Sequence, residues 1–147
     1  MRRVVVTGLG AITPLGNNVQ DFWVALIEGV SGSDWITHFD TEKFKTKFAC
    51  EVKNYNPQDY FDRKEVRKLD PYAQYAMIAA QEAYLDAGLD TAEIDKDRAG
   101  VIWASGIGGI ETFRNEIEGY LAGGRTPRFS PFFIPKMIAD IASGHIS

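Results

Sequence analysis

Two short apolar runs, Val4-Val5-Val6 and Val101-Ile102-Trp103-Ala104, each lead into a glycine-rich loop and then into a helical pattern. Continuous apolar runs of this length predict strands buried on both faces. After the first run, Gly8 to Gly16 with Pro14 form a loop, and Val19, Phe22, Trp23, Leu26 and Ile27 then fall at helical spacing. Asn17 or Asn18 suits the cap of that helix and Gly29 its stop. After the second run, Ser105-Gly106-Ile107-Gly108-Gly109 precede a helix with Ile110, Phe113, Ile117 and Leu121 on one side, ending near Gly123-Gly124.

Between the runs lies a well-punctuated helix. Asp70 is a good N-cap, Pro71 fits the first helical position and Gly88 the stop. Its interior carries Ala73, Ala76, Met77, Ala80, Ala83, Tyr84 and Ala87, a small-residue stripe that permits close approach by another element. From Ser31 to Asp62 no period is clear, and irregular loops with a short hairpin strand around Phe48–Val52 are expected. Ser130-Pro131 and Pro135 punctuate the last stretch, before Ile138, Ile141 and Ala142 begin a further helical face. Strand, helix, helix, strand, helix in this order predicts a layered α/β fold with neighbouring parallel strands. So few strands do not make a doubly covered sheet, and Ala142–Ser147 end inside an unfinished element. The expectation is a domain that continues beyond this chain.

The formal charge is −4, from 16 basic and 20 acidic side chains among 147 residues. That balance argues against a general nucleic-acid binder, which carries a basic excess. A single cysteine, Cys50, rules out an intrachain disulfide and fits a reducing compartment. No apolar run approaches the ~18 residues of a membrane span. The start, Met1-Arg2-Arg3-Val4-Val5-Val6, has the look of a signal peptide, but Gly8, Gly10, Pro14 and Gly16 interrupt it. It reads as a first strand, and the protein as cytoplasmic.

Gly8-Leu9-Gly10-Ala11-Ile12-Thr13 comes close to a dinucleotide fingerprint, yet its sixth position is Thr. Tight turns and close backbone packing are the plainer use of these glycines. Cys50, among Phe48, Ala49 and Val52 with Glu51 adjacent, is expected as a small buried hydrophobe rather than a nucleophile. His38, His145 and Cys50 lie far apart and show no metal-ligand spacing; no metal or cofactor is expected. Lys64, Arg67 and Lys68 would share one face of a helix at i, i+3 and i+4. Arg125 and Arg128, around Pro127, form a second basic loop. From the residues alone, both basic groups read first as solvated faces.

These motifs also carry a resemblance. Val4 to Gly16 resembles the start of β-ketoacyl-acyl carrier protein synthases of the elongating type. Gly29-Val30-Ser31-Gly32 and Arg67-Lys68-Leu69-Asp70 are similar to that family as well. So are Ala104 to Gly109, which match its loop beside the acyl pocket, and Ser130 to Pro135, which match its segment near the dimer interface. The resemblance covers residues 1–147 and implies the N-terminal part of a thiolase-like, layered αβαβα fold, incomplete in this chain. It implies fatty-acid chain elongation: an acyl group moves from acyl carrier protein to a cysteine, and malonyl-carrier protein loses CO2 and attacks the thioester. It implies a homodimer, no cofactor, no nucleic acid and no membrane.

The family's nucleophilic cysteine would follow shortly after Ser147, and its two histidines further on. Cys50, His38 and His145 do not match those positions, so no catalytic residue carries over and the chain alone is expected to be inactive. Binding residues do carry over. Ile107 matches the gate of the acyl pocket, and Phe133 and Ile134 match residues near its far end. Lys64, Arg67, Lys68, Arg125 and Arg128 match basic positions where the family docks the acidic carrier. The alternative is a catalytically silent relative such as a chain-length-factor subunit. A nucleotide-binding module is a third class.

Overall fold

Capping chemistry sets the helices. In the computed structural model, which describes residues 3–147, α1 spans Val19–Ile27. The side chain of Asn18 caps it by accepting the Asp21 N–H at 2.7 Å, so one orphan donor of the first turn is satisfied. A single turn, α2 at Arg63–Val66, starts from Asp62, whose carboxylate takes the N–H groups of Lys64 and Glu65. α3 is Pro71–Asp86, and Asp70 accepts the Tyr72 N–H at 3.3 Å ahead of it. α4 is Ile110–Ala122, α5 Phe133–Met137 and α6 Ile141–Ile146. The expected caps and stops of α1 and α3 are found, as is the expected end of α4 at Gly123.

The strands came out differently. Among the described residues the one sheet is an antiparallel pair, β1 (Asp34–Trp35) with β2 (Phe48–Ala49). Its register sets Asp34 opposite Ala49 and Trp35 opposite Phe48. β2 lies where the hairpin strand was expected. The two apolar runs expected as buried parallel strands form no ladder and are exposed, Val4 at 93% and Ile102 at 100%. Met1 and Arg2, which open the first of these segments, lie outside the described residues. A β-branched run favours extended backbone, but a strand exists only where a neighbour takes its N–H and C=O groups. Neither run has such a neighbour among the described residues. The class remains mixed α/β, helices with a small sheet.

The chain divides into two units, and the boundary falls within α3. One unit holds the residues up to Tyr55 with Ala79–Thr91. Its organising contact is the N-terminal glycine loop laid on the small-residue side of α3. A Cβ at Gly10 would stand 1.8 Å from the Ala79 carbonyl oxygen, and one at Gly8 would stand 2.3 Å from that of Ala83. Only glycine permits this approach.

The other unit holds Asn56–Ile78 and Ala92–Ser147. Leu69, Ala73, Ala76 and Ala142 form its buried core, with Phe61, Tyr72, Met77 and Ile146 packed against them. Asp70 and Thr112 are buried polar residues in the same unit. Tyr120, Phe129, Phe133 and Phe113 form a chain of ring contacts along α4 and α5, with centroids 5.6, 5.6 and 6.3 Å apart.

Candidate functional site

The loop Ser105–Gly109 is closed on itself by one hydrogen bond and tied at its C-terminal end by another. The Gly108 N–H donates to Ser105 Oγ at 2.9 Å, and the Gly109 N–H donates to the Met137 carbonyl at 2.9 Å. Ile107, at the tip, is 71% exposed, so an apolar side chain stands in the open on an anchored loop. Gly109 passes directly into α4, and its hydrogen bond reaches the last turn of α5, the helix that begins with Phe133 and Ile134. Phe133 is half-buried between Phe113 and Phe129, whereas Ile134 is exposed.

Three hydrogen bonds, made by Asp70 ahead of α3 and by Tyr72 in its first turn, steady this arrangement. The Asp70 carboxylate accepts the Thr112 N–H at 3.0 Å and the Thr112 hydroxyl at 2.6 Å. The Tyr72 hydroxyl donates to the Ile138 carbonyl, just past α5. Burial, and then the charges of Asp70 and Asp140, hold the Tyr72 phenol above its ordinary range, so it stays a neutral donor.

The basic residues are all exposed, but their helix is shorter than the spacing suggested. α2 ends at Val66, with Arg67 as its cap and Lys68 in the turn that follows. The Lys68 N–H bonds the Glu65 carbonyl at 2.8 Å, which closes a tight turn. Lys64 and Arg67 thus keep helical spacing, while Lys68 leaves the helix. In the second basic loop Arg125 has φ +64, a left-handed conformation costly for a residue with a Cβ. Its N–H bonds the Tyr120 carbonyl at 2.9 Å, which completes the C-terminus of α4. Arg128 is exposed three residues on.

The dinucleotide alternative is answered by two carboxylates. The Leu9 N–H donates to Asp86 at 2.9 Å and the Ala11 N–H to Glu82 at 2.9 Å. The other oxygen of Glu82 takes the Val19 N–H at the start of α1, at 2.8 Å. Donors that a phosphate would need are therefore engaged by anions of the protein itself. Sequence reading missed this role for Glu82 and Asp86. Its signal was two carboxylates at i, i+4 bordering the alanine stripe of α3.

Cys50 is exposed, not buried as expected. It directly follows β2, a strand of only Phe48–Ala49 whose Phe48 is itself exposed, so the apolar neighbours do not enclose it. His38 lies 3.9 Å from Glu51, and His145 is in the last turn of α6. Among the described residues, no group of His, Cys, Asp and Glu could hold a metal ion, and no helix is long and apolar enough to cross a membrane.

Comparison with known proteins matches residues 1–147 to the family model described as "Beta-ketoacyl synthase, N-terminal domain". The 3-oxoacyl-acyl-carrier-protein synthase 2 of Staphylococcus aureus is 47% identical over 146 residues, which cover 99% of this chain and 35% of that protein. The chain thus spans about a third of the length of the curated relatives it matches. Among solved structures, the ishigamide ketosynthase/chain length factor superposes with a TM-score of 0.79 at 30% identity, covering 99% of this chain and 36% of that one. A β-ketoacyl synthase from Burkholderia phymatum gives 0.76 at 26% identity, covering 100% and 36%.

Proposed function

Since the chain belongs to the β-ketoacyl synthase family, matching its N-terminal domain along residues 1–147, we propose that the full-length protein elongates acyl chains by decarboxylative condensation with malonyl-acyl carrier protein. The observation that carries this reading is the 47% identity to a 3-oxoacyl-acyl-carrier-protein synthase 2 across 99% of the chain. In this reading residues 1–147 are the N-terminal portion of a thiolase-like domain. They supply binding surfaces, and the nucleophile and histidines lie elsewhere. The 147 residues alone are then inactive.

Each proposed role fits a local property. Ile107 gates the acyl pocket, an assignment supported by its exposed apolar side chain on an anchored loop. Phe133 and Ile134 shape the far end of that pocket from α5, near the interface of a homodimer. Lys64, Arg67, Lys68, Arg125 and Arg128 dock the acidic carrier. All five are exposed on a protein of net charge −4, so attraction to an acidic partner must come from such local groups. The protein acts in the cytoplasm, with no cofactor of its own.

The test is product formation by purified full-length protein supplied with acyl- and malonyl-carrier protein. A carrier-bound β-ketoacyl product two carbons longer is expected, and none with the 147-residue chain. A second reading is favoured by the likeness to the ishigamide ketosynthase/chain length factor at a TM-score of 0.79. In that reading the protein is a silent subunit, inactive alone and active only beside a catalytic partner. The residue at the nucleophile position separates the two.

A further inference from the structure

The chain that leaves α4 is pinned at two points by residues of that helix. Gly124 and Arg125 both lie in the left-handed region, at φ +66 and +64, so the backbone turns sharply once α4 ends. The Arg125 N–H donates to the Tyr120 carbonyl at 2.9 Å. Further on, the Ser130 N–H donates to the Glu116 carboxylate at 3.1 Å. Between these ties the Phe129 ring stacks on Tyr120, with centroids 5.6 Å apart. Glu116 and Tyr120 stand one turn apart on the same face of α4, and both are half-buried. Arg125 and Arg128 are exposed on the loop so held. Among the described residues no ion pair joins Glu116 to either arginine, so its carboxylate serves the loop backbone and leaves the two cations outward.

We propose that Glu116 and Tyr120 are positioning residues for carrier docking: they hold residues 123–130 in place, so that Arg125 and Arg128 meet the acidic carrier already ordered. The inference rests on the reading of those arginines as docking residues. A loop that is free before binding loses backbone and side-chain freedom on binding, and the affinity falls accordingly. A loop pinned on folding does not. The sign of the effect sets this role apart from simple electrostatics. Glu116 is an anion, and on charge alone its removal would favour an acidic partner. Positioning demands the opposite, because without the carboxylate Ser130 loses its acceptor and the loop loses one of its two ties.

The experiment measures the affinity of the full-length protein for acyl-acyl carrier protein at low salt. It compares wild type with Glu116→Ala, Glu116→Gln, the reversal Arg125→Glu with Arg128→Glu, and that reversal combined with Glu116→Ala. Glu118→Ala removes a carboxylate from the exposed side of the same helix and controls for charge. Melting temperatures identify the variants that fold. Glu116→Ala is expected to bind about fivefold more weakly, whereas Glu118→Ala binds as tightly as wild type or more so. Glu116→Gln keeps a carbonyl oxygen for the Ser130 N–H and should stay within about twofold of wild type. Added to the arginine reversal, Glu116→Ala should have no further effect, since it acts through those arginines. Should Glu116→Ala not fold, Tyr120→Leu decides the matter: it removes the ring beneath Phe129, keeps the backbone tie, and is expected to weaken binding in the same direction. Unchanged or tighter binding in the folded positioning variants, beside weaker binding in the arginine reversal, overturns the positioning role alone. So does an equal loss from Glu116→Ala with and without the reversal. Wild-type affinity in the arginine reversal removes the docking role on which the inference depends.

Discussion

The Asp70 carboxylate receives both donors of Thr112, the N–H at 3.0 Å and the hydroxyl at 2.6 Å, and both residues are buried. One side chain thus ties the start of α3 to the first turn of α4, next to the loop that carries Ile107. A hydrogen bond to a charged group is worth about 1.5–3 kcal/mol, and an oxygen left partly unsatisfied in a buried site adds to the loss. Thr112→Val keeps the shape and removes the hydroxyl. It should lower stability by about 1.5–3 kcal/mol in chemical denaturation. A loss indistinguishable from zero would mean the bond is replaced by water.

Glu82 does comparable work in the other unit, where its two oxygens take the N–H groups of Ala11 and Val19. Glu82→Gln leaves one acceptor and turns an amide N–H toward the second donor. That conflict should cost about 1–3 kcal/mol. Because these donors are already engaged, a titration with a dinucleotide should show no saturable binding to wild type. Saturable binding at low concentration would return the glycine loop to the nucleotide reading.

How much of this was legible beforehand depended on how local the cause was. Asn18, Asp70-Pro71 and Gly88 announce helix ends because a cap acts within a few residues of itself. The same locality exposes its limit at Lys68, where a tight turn replaces the last position of an expected helix. Val4-Val5-Val6 and Val101–Ala104 carry the composition of buried strands, yet pairing is a relation to another segment that no run can state about itself. The role of Glu82 is hard to read from sequence for a related reason. Its partners are 71 and 63 residues away, so helical spacing beside the alanine stripe was its only trace. At the candidate site, Ile107 and Phe133 were named from motif resemblance. The Gly109–Met137 bond that joins their elements was not foreseeable from either motif.

Cys50 provides a direct check on one correction. It is exposed. An alkylating reagent should label it in the native 147-residue chain at a rate comparable to that in the urea-unfolded chain. Strong protection in the native state would restore the buried reading drawn from Phe48, Ala49 and Val52.

Arg125 separates stability from binding. Its φ of +64 costs about 1–2 kcal/mol relative to a right-handed conformation. Glycine relieves that strain but has more freedom to lose on folding, at about 0.4–1 kcal/mol. Arg125→Gly should therefore melt at or above the wild-type temperature while binding carrier protein more weakly. Lower stability together with unchanged carrier binding would show that the arginine serves the fold instead.

The proposed carrier-docking role of the basic residues is the most exposed to refutation, because charge effects carry their own internal control. The protein is net acidic at −4, so an acidic carrier gains nothing from the average field and depends on local groups. Lys64 and Arg67 are exposed at helical spacing around the single turn of α2, and no ion pair to either was found among the described residues. One exposed charge pair contributes about 0.2–1 kcal/mol, so a single reversal should be mild. Reversing both, Lys64→Glu with Arg67→Glu, replaces two attractions by two repulsions and should weaken carrier affinity about tenfold at low salt. Screening acts over about 8–10 Å, so raising the ionic strength should bring the variant and wild type together. Lys68→Glu alone should do less, since Lys68 lies in the turn beyond the helix. The measurement is carrier affinity of the full-length protein and its variants at two salt concentrations. Equal affinity of double variant and wild type at low salt would leave Lys64 and Arg67 as a solvated face. A tenfold loss that persists at high salt would trace the effect to altered structure rather than charge.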